Sequence, residues 1–341
     1  RPKLVTVLSE GYGLDSFRKD MLAALTVAIV ALPLSMAIAV ASGVSPERGL
    51  YAAVIGGFLV SALGGSRYQI GGPAGAFIVL VAATVVKFGL EGLLLTVFIS
   101  GFMLTLIGLL RLGSLIRYIP HAVTIGFTSG IAVTIFASQL RDLGGLNLST
   151  AEPGQLLPKL AVLGHALPTL NPAALAVGIG SAALIFLLRH LVPNSPGMLI
   201  AVVLASVAAW LFHLPVETVG SRFGQLPDGL PGPRLPTMSY ATILEVLPTA
   251  LSFTLLGAVE SLLSAKVADG MTGRKHRYNM EVVAQGIANI ASALFGGISV
   301  TGTIARTATN IRAGARSPVS GMAHALFVLV FMIVAAPLAS F

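Results

Sequence analysis

Apolar runs close to the length needed to cross a bilayer recur along the whole chain, and they restrict its fold more than any other feature. Candidate helices cover 20–41, 49–63, 92–110, 119–140, 172–191, 196–212, 244–268, 280–295 and 318–335. A helix needs about 20 apolar residues to span the hydrocarbon layer. Composition agrees: 55% of the 341 residues are hydrophobic and only 10% are charged. A soluble chain carries about 25% charged residues, and this one would leave large apolar patches wet. The chain is expected to be an all-α polytopic membrane protein.

Two further stretches, 74–87 and 301–313, are too short to span as helices. Each follows a glycine-rich entry, Gly71-Gly72-Pro73 for the first and Gly296-Gly297 then Gly302 for the second. Irregular backbone at membrane depth persists only where protein or water covers it. Two short, Gly/Pro-interrupted segments in corresponding halves point to a transporter binding site. The halves correspond in sequence too: Ser61-Ala62-Leu63 before Gly64-Gly65 is echoed by Ser292-Ala293-Leu294, Phe295, then Gly296-Gly297. Seven elements precede residue 244, and an odd number makes the second copy enter from the opposite side, as an inverted repeat.

The formal charge of +8 raises the question of nucleic acid. The basic residues stand singly between apolar runs, without the dense basic face that nucleic acid requires. With the amino terminus in the cytoplasm, fourteen of the 21 lysines and arginines fall inside and six outside, leaving Arg306 within the membrane. That satisfies the positive-inside rule. The polar start, 1–20, reads as a cytoplasmic lead-in rather than a cleaved signal. The segments 141–171 and 213–239 read as outer connectors. With no cysteine there is no disulfide framework or thiolate metal site, and no metal or cofactor is expected. No nucleophile–base pair or phosphate loop makes a case for an enzyme.

Glu260 stands out as the one acid within a long apolar helix. An intramembrane carboxyl marks function by default, here proton or cation coupling, with a structural hydrogen bond to a neighbouring helix as the alternative. Ser264, one turn on, shares its face and could complete its hydrogen bonding. Arg306 belongs to the second short helix, whose amino-terminal N–H groups suit an anion. Its other readings are snorkelling to the cytoplasmic edge or pairing with Glu260. Pro33 is expected to kink the first helix. His121 and His324 read as packed or interfacial side chains.

Several stretches resemble the sulfate permease (SulP) family, bacterial relatives of the animal multifunctional anion exchangers and of prestin. They are Leu-Pro-Leu-Ser-Met-Ala within 20–39, Pro-x-x-Gly-Leu-Tyr-Ala-Ala at 46–53, and Ile-Gly-Phe-Thr-Ser-Gly then Ser-Gln-Leu within 125–140. Asn-x-Glu-x-x-x-Gln-Gly-x-Ala-Asn at 279–289 and Ala-Arg-Thr-Ala-Thr-Asn-Ile-Arg-Ala-Gly, closing 296–314, are the more specific.

The resemblance implies fourteen segments in two inverted repeats of seven, divided into core and gate. On that pattern 1–112 and 244–335 form the core, 117–213 the gate helices, 214–243 an extracytoplasmic loop and 336–341 the start of a further gate helix. It implies a substrate site at Ala74, Gly75, Ala76, Thr301, Gly302, Thr303, Ala305 and Arg306, with Glu260 and Ser264 for ion coupling. The implied partners are a small anion of the sulfate, bicarbonate or dicarboxylate class, a proton rather than sodium, the bilayer of a bacterial inner membrane, and a second copy when full length. Transport without coupling, as a channel, and nucleobase transport on the same architecture are the alternatives; the latter would want an acid where Arg306 stands. Leu34 replaces a glutamine common in the family, and Ala305 a common serine. The chain stops at Phe341 without the last helices or the cytoplasmic STAS domain, and an incomplete gate is expected not to transport by itself.

Overall fold

The structure is a computed structural model that describes residues 1–114, 121–150, 153, 156–192, 197–218, 221, 227 and 229–335. The domain limit near residue 117, Arg117, Arg222, the side chain of His121 and the segment 336–341 lie outside the described residues.

The long helices follow the apolar runs, with ends set by local chemistry. A short surface helix, α1 (Lys3–Ser9), leads into α2 (Leu14–Ala41), which runs through Pro33. A proline there leaves the Ile29 carbonyl without its helical donor. α3 (Pro46–Tyr51) continues through one π-helical turn into α4 (Gly57–Leu63). α8 (Pro172–Leu191) is capped by the Asn171 side chain, which accepts from the amides of Ala173 and Ala174. α10 (Tyr240–Thr272) opens on a capping box between Ser239 and Thr242 and closes on left-handed Gly273. Further long helices are α6 (His121–Gly144), α9 (Gly197–Leu211), α11 (Tyr278–Leu294) and α13 (Val319–Ala335). Among the described residues four stretches are long and apolar enough to cross a membrane by length and composition: α2, α8, α10 and Gly75–Leu109.

The segments 74–87 and 92–110 are two helical stretches that meet at a break: a 3-10 turn at Gly75–Phe77 leads into α5 (Ile78–Leu109), whose two parts are separated at Gly89. Gly89 has φ 70° and ψ −173°, a non-helical conformation open to a residue without a Cβ. Two sequence expectations need correction. The second short segment does not begin as helix. Thr301–Gly302 is a strand, β2, and α12 starts at Ile304 and ends at Arg312. β2 pairs antiparallel with β1 (Gly71–Gly72), with Gly71 opposite Gly302 and Gly72 opposite Thr301. The other correction lies within 141–171, where Leu156–Ala166 forms a helix, α7. Its run Leu-Leu-Pro-Lys-Leu-Ala-Val-Leu supplies a packed face, with Leu163 and Ala166 buried against Leu146.

The main packing joins distant parts of the chain. α5 lies on α10 and α11, and α2 lies on α13. Helices α6–α9 pack chiefly on one another. The largest core cluster includes Ile38, Phe77, Val81, Leu93, Val97, Phe253, Ile298 and Val300, drawing both halves together. The α5–α11 contact depends on Gly101 and Gly286. A Cβ on Gly286 would stand 2.2 Å from Thr105 Oγ1 and 2.6 Å from the Gly101 carbonyl oxygen. Gly286→Ala is therefore expected to lower stability by about 1–3 kcal/mol through overpacking, read as a lower Tm in detergent. Gly270→Ala, where a Cβ meets nothing within 4 Å, serves as the control. Equal Tm values for the two variants would contradict this close approach.

The sequence echo has a structural counterpart. Ser61 Oγ donates to the Gln69 carbonyl at 3.4 Å and Ser292 Oγ donates to the Ile298 carbonyl at 2.7 Å. Each serine thus holds the chain just ahead of one two-residue strand.

Candidate functional site

The β1–β2 ladder brings two helix starts together. Each strand is only two residues long and leads, through Pro73-Ala74 in one case and Thr303 in the other, into helix. The first amides of a helix have no acceptor within it, and they carry the positive end of the helix dipole. Thr303 ties the two starts to each other. Its amide and its hydroxyl both donate to the Ile70 carbonyl, at 2.9 and 3.0 Å.

A cavity of about 410 Å³ opens at this junction. It is bounded by both helix starts, by one face of α2, by Glu260 of α10, and by Ala132 and Gln139 of α6. Of the residues singled out in sequence, Ala74, Gly75, Ala76, Gly302, Thr303, Ala305, Arg306 and Glu260 line it. Thr301 does not. It is wholly buried behind the ladder, where its hydroxyl pairs with Ser261 Oγ at 2.7 Å. Ser264 does not either. Its hydroxyl donates to Thr307 Oγ1 at 3.3 Å instead of serving Glu260, because that face of α10 packs on α12. Leu34 sits on the cavity wall, so α2 presents it only apolar side chains, Leu34, Ala37, Ile38 and Ala41.

Arg306 is the dominant charge. Its side chain is 1% exposed, and its Nη2 donates to the Pro73 carbonyl at 3.3 Å. Its Nε and Nη1 have no partner. A buried donor left unpaired costs about 1–3 kcal/mol, so the guanidinium is held ready for an acceptor. It neither snorkels nor pairs with Glu260, and no ion pair joins the two. Gly72 lies close beside it, and a Cβ there, 2.3 Å from Nη1, would displace the guanidinium tip. Glu260 is 7% exposed, and among the described residues its carboxylate has no hydrogen-bond partner. The cavity therefore holds a donor-rich end and an unpaired carboxyl.

Among the described residues two acids besides Glu260 are buried, nearer the starts of their helices. Asp20 and Glu281 are wholly buried as well. Both lie at the starts of the apolar runs 20–41 and 280–295, where they brace loops and helix ends. Asp20 accepts from the amides of Arg316 and Ser317 and from the hydroxyls of Ser317 and Tyr12. Glu281 accepts from the amides of Gly65 and Ser66, at 2.8 and 3.0 Å, and from Gln69 Nε2 at 2.7 Å. Gln69 also donates to the Ser261 carbonyl, and Ser261 Oγ accepts from the Gly302 amide. Asn289 clasps the backbone on both sides of Val300, at 2.7 and 2.9 Å. Glu281, Gln285 and Asn289 recur every four residues and so share one helix face. That spacing was the available signal for this support. Among the described residues no group of three histidine, aspartate or glutamate side chains gathers as a metal site.

The model of the sulfate permease family matches residues 17–341. The chain belongs to the sulfate permease family. It is 44% identical over 332 residues to the putative sulfate transporter YvdB of Bacillus subtilis, covering 97% of this chain and 62% of that protein. It is 32% identical over 334 residues to the bicarbonate transporter BicA of a Picosynechococcus species, covering 95% of this chain and 58% of the relative. The chain thus spans about three fifths of the length of these curated relatives. Among solved structures it matches the transmembrane domain of a cyanobacterial bicarbonate transporter BicA. The TM-score is 0.86 and the identity 30%, over 96% of this chain and 86% of that one. It is a multi-pass membrane protein of a family of transporters rather than enzymes.

Proposed function

We propose that the protein is a secondary active transporter of small anions, driven by protons and working by elevator-like alternating access. One observation supports this most: a buried guanidinium with two unpaired nitrogens stands beside two helix starts, on a cavity that also holds an unpaired carboxyl. An anion would accept from Arg306 and from the amides that open α12 and the Gly75–Phe77 turn. Ala74, Gly75, Ala76, Gly302, Thr303 and Ala305 would let it approach the backbone, and Thr301 would hold the ladder behind them. Glu260 would take the proton, while Ser264 would brace α10 against α12.

In this reading 1–112 and 244–335 make up a core that moves against gate helices within 117–213. The separate packing of α6–α9 supports such a division. The matched serine contacts and the antiparallel ladder support two inverted repeats. The excess of inner basic residues favours the cell membrane with a cytoplasmic amino terminus, and the working form would be a homodimer of the full-length protein. Sulfate and bicarbonate, named for the relatives, are the first substrates to try.

The full-length protein in liposomes should accumulate radiolabelled sulfate, bicarbonate or fumarate against its gradient when the pH difference is imposed, and only equilibrate without it. Uptake of none of them would dispose of the proposal. Uptake indifferent to the pH difference would leave the anion site and remove the proton.

A further inference from the structure

The cavity has a polar contributor from α6 to which no role has been given. Gln139 lies near the end of α6, which packs against the Gly75–Phe77 turn, and it reaches the cavity two turns on from Ala132. Its side chain is exposed within that space, and among the described residues its carboxamide has no hydrogen-bond partner.

The other polar lining groups are spoken for. Arg306 and the helix amides lie at the ladder. The Thr303 hydroxyl gives its proton to the Ile70 carbonyl. Glu260, when ionised, only accepts, and α2 contributes apolar side chains alone. Among the described lining residues, the Gln139 amide is therefore the one uncharged side chain with an N–H free to donate.

This matters for the shape of the ligand. A halide is spherical and is satisfied by a cluster of donors on one side. Sulfate, bicarbonate or a dicarboxylate directs oxygens several ways at once. When one edge of such an ion faces Arg306 and the helix starts, further oxygens face the rest of the cavity, where α2 offers no donor. An oxygen left there without a partner loses its hydration with nothing in return. A donor from α6 removes that penalty.

We propose that Gln139 is a specificity-determining residue that favours polyatomic oxyanions over halides by donating to the oxygen not held at the ladder. The inference rests on the anion-transporter reading and adds a selectivity to it.

The test uses the full-length protein in liposomes, with radiolabelled sulfate, bicarbonate and chloride measured in parallel. Gln139→Leu, of similar size but without the amide, is expected to reduce uptake of the transported oxyanion about tenfold more than it reduces chloride uptake, the loss of a hydrogen bond to a charged group. Gln139→Asn keeps the donor on a shorter stem and is expected to recover part of that ratio. Thermal unfolding of each purified variant separates selectivity from folding. An unchanged ratio in an active Gln139→Leu carrier overturns the inference and leaves the transporter reading intact, as does an equal loss of oxyanion and chloride uptake. If the unmutated protein carries neither oxyanion, the transporter reading falls and takes this inference with it.

Discussion

Arg306→Ala is expected to reduce anion affinity by two orders of magnitude or more while leaving the fold nearly as stable. The argument starts from what the guanidinium lacks. Two of its nitrogens, Nε and Nη1, have no partner although the side chain is buried. Each charge-assisted hydrogen bond they would make to a bound anion contributes about 1.5–3 kcal/mol. Losing two of them corresponds to roughly 100-fold in affinity at the least. Folding gains much less from this side chain. Its removal abolishes two unpaired buried donors, which relieves strain, and also the packing of its stem, which costs stability. These oppose one another and are each of the order of 1–3 kcal/mol, so a net change within about 2 kcal/mol is expected. Calorimetric titration of the purified protein with sulfate or bicarbonate, together with its Tm, reads both quantities. If affinity were to survive the substitution, the helix amides alone would hold the anion and Arg306 would be a structural charge. If Tm were to collapse with affinity, the side chain would be a packing element whose unpaired nitrogens are incidental.

Much of this architecture is legible in the sequence because bilayer-length apolar runs leave little freedom. Pro172–Leu191 is recovered at both ends, where Asn171 caps and Val192 breaks the helix. The two glycine-rich entries also announce themselves, since a chain that abandons helix among apolar residues must be covered by protein. What they do there is not legible. Pairing of Gly71 with Gly302 is a contact across more than two hundred residues, and two glycines carry no strand signal of their own. The family resemblance puts Thr301 at the site, and helical spacing from Glu260 puts Ser264 there. Both turn away from it, because a hydroxyl on a packed helix face takes the nearest acceptor on its neighbour. Glu281 falls within the run 280–295, but nothing in that run names its partners: it lies in the first turn of α11 and accepts from amides of a loop distant in sequence. Gln139 stands in the sequence only as the middle of Ser-Gln-Leu, since nothing local tells a cavity-facing amide from a loop-facing one.

Glu260→Gln is expected to separate anion binding from proton-driven accumulation. Glu260 and Arg306 line the same cavity without forming an ion pair, so an anion held at Arg306 brings a second negative charge into the space the carboxylate faces. In a cavity of low dielectric that repulsion is large unless the carboxyl carries a proton. Anion and proton therefore each favour the other's binding, and the coupling is reciprocal. For a monovalent anion moved with one proton, a pH difference of about one unit corresponds to ~1.4 kcal/mol and about tenfold accumulation at equilibrium. Glutamine reproduces the neutral carboxyl in size and polarity but cannot release a proton. The variant should bind anion at least as well as the native protein at neutral pH, and its affinity should lose most of its dependence on pH. In liposomes it should exchange internal for external labelled anion, yet equilibrate rather than concentrate when a pH difference is imposed. Accumulation by Glu260→Gln equal to that of the native protein would place the proton on another group. Loss of exchange together with accumulation would instead make the carboxylate a part of the anion site or of the moving interface.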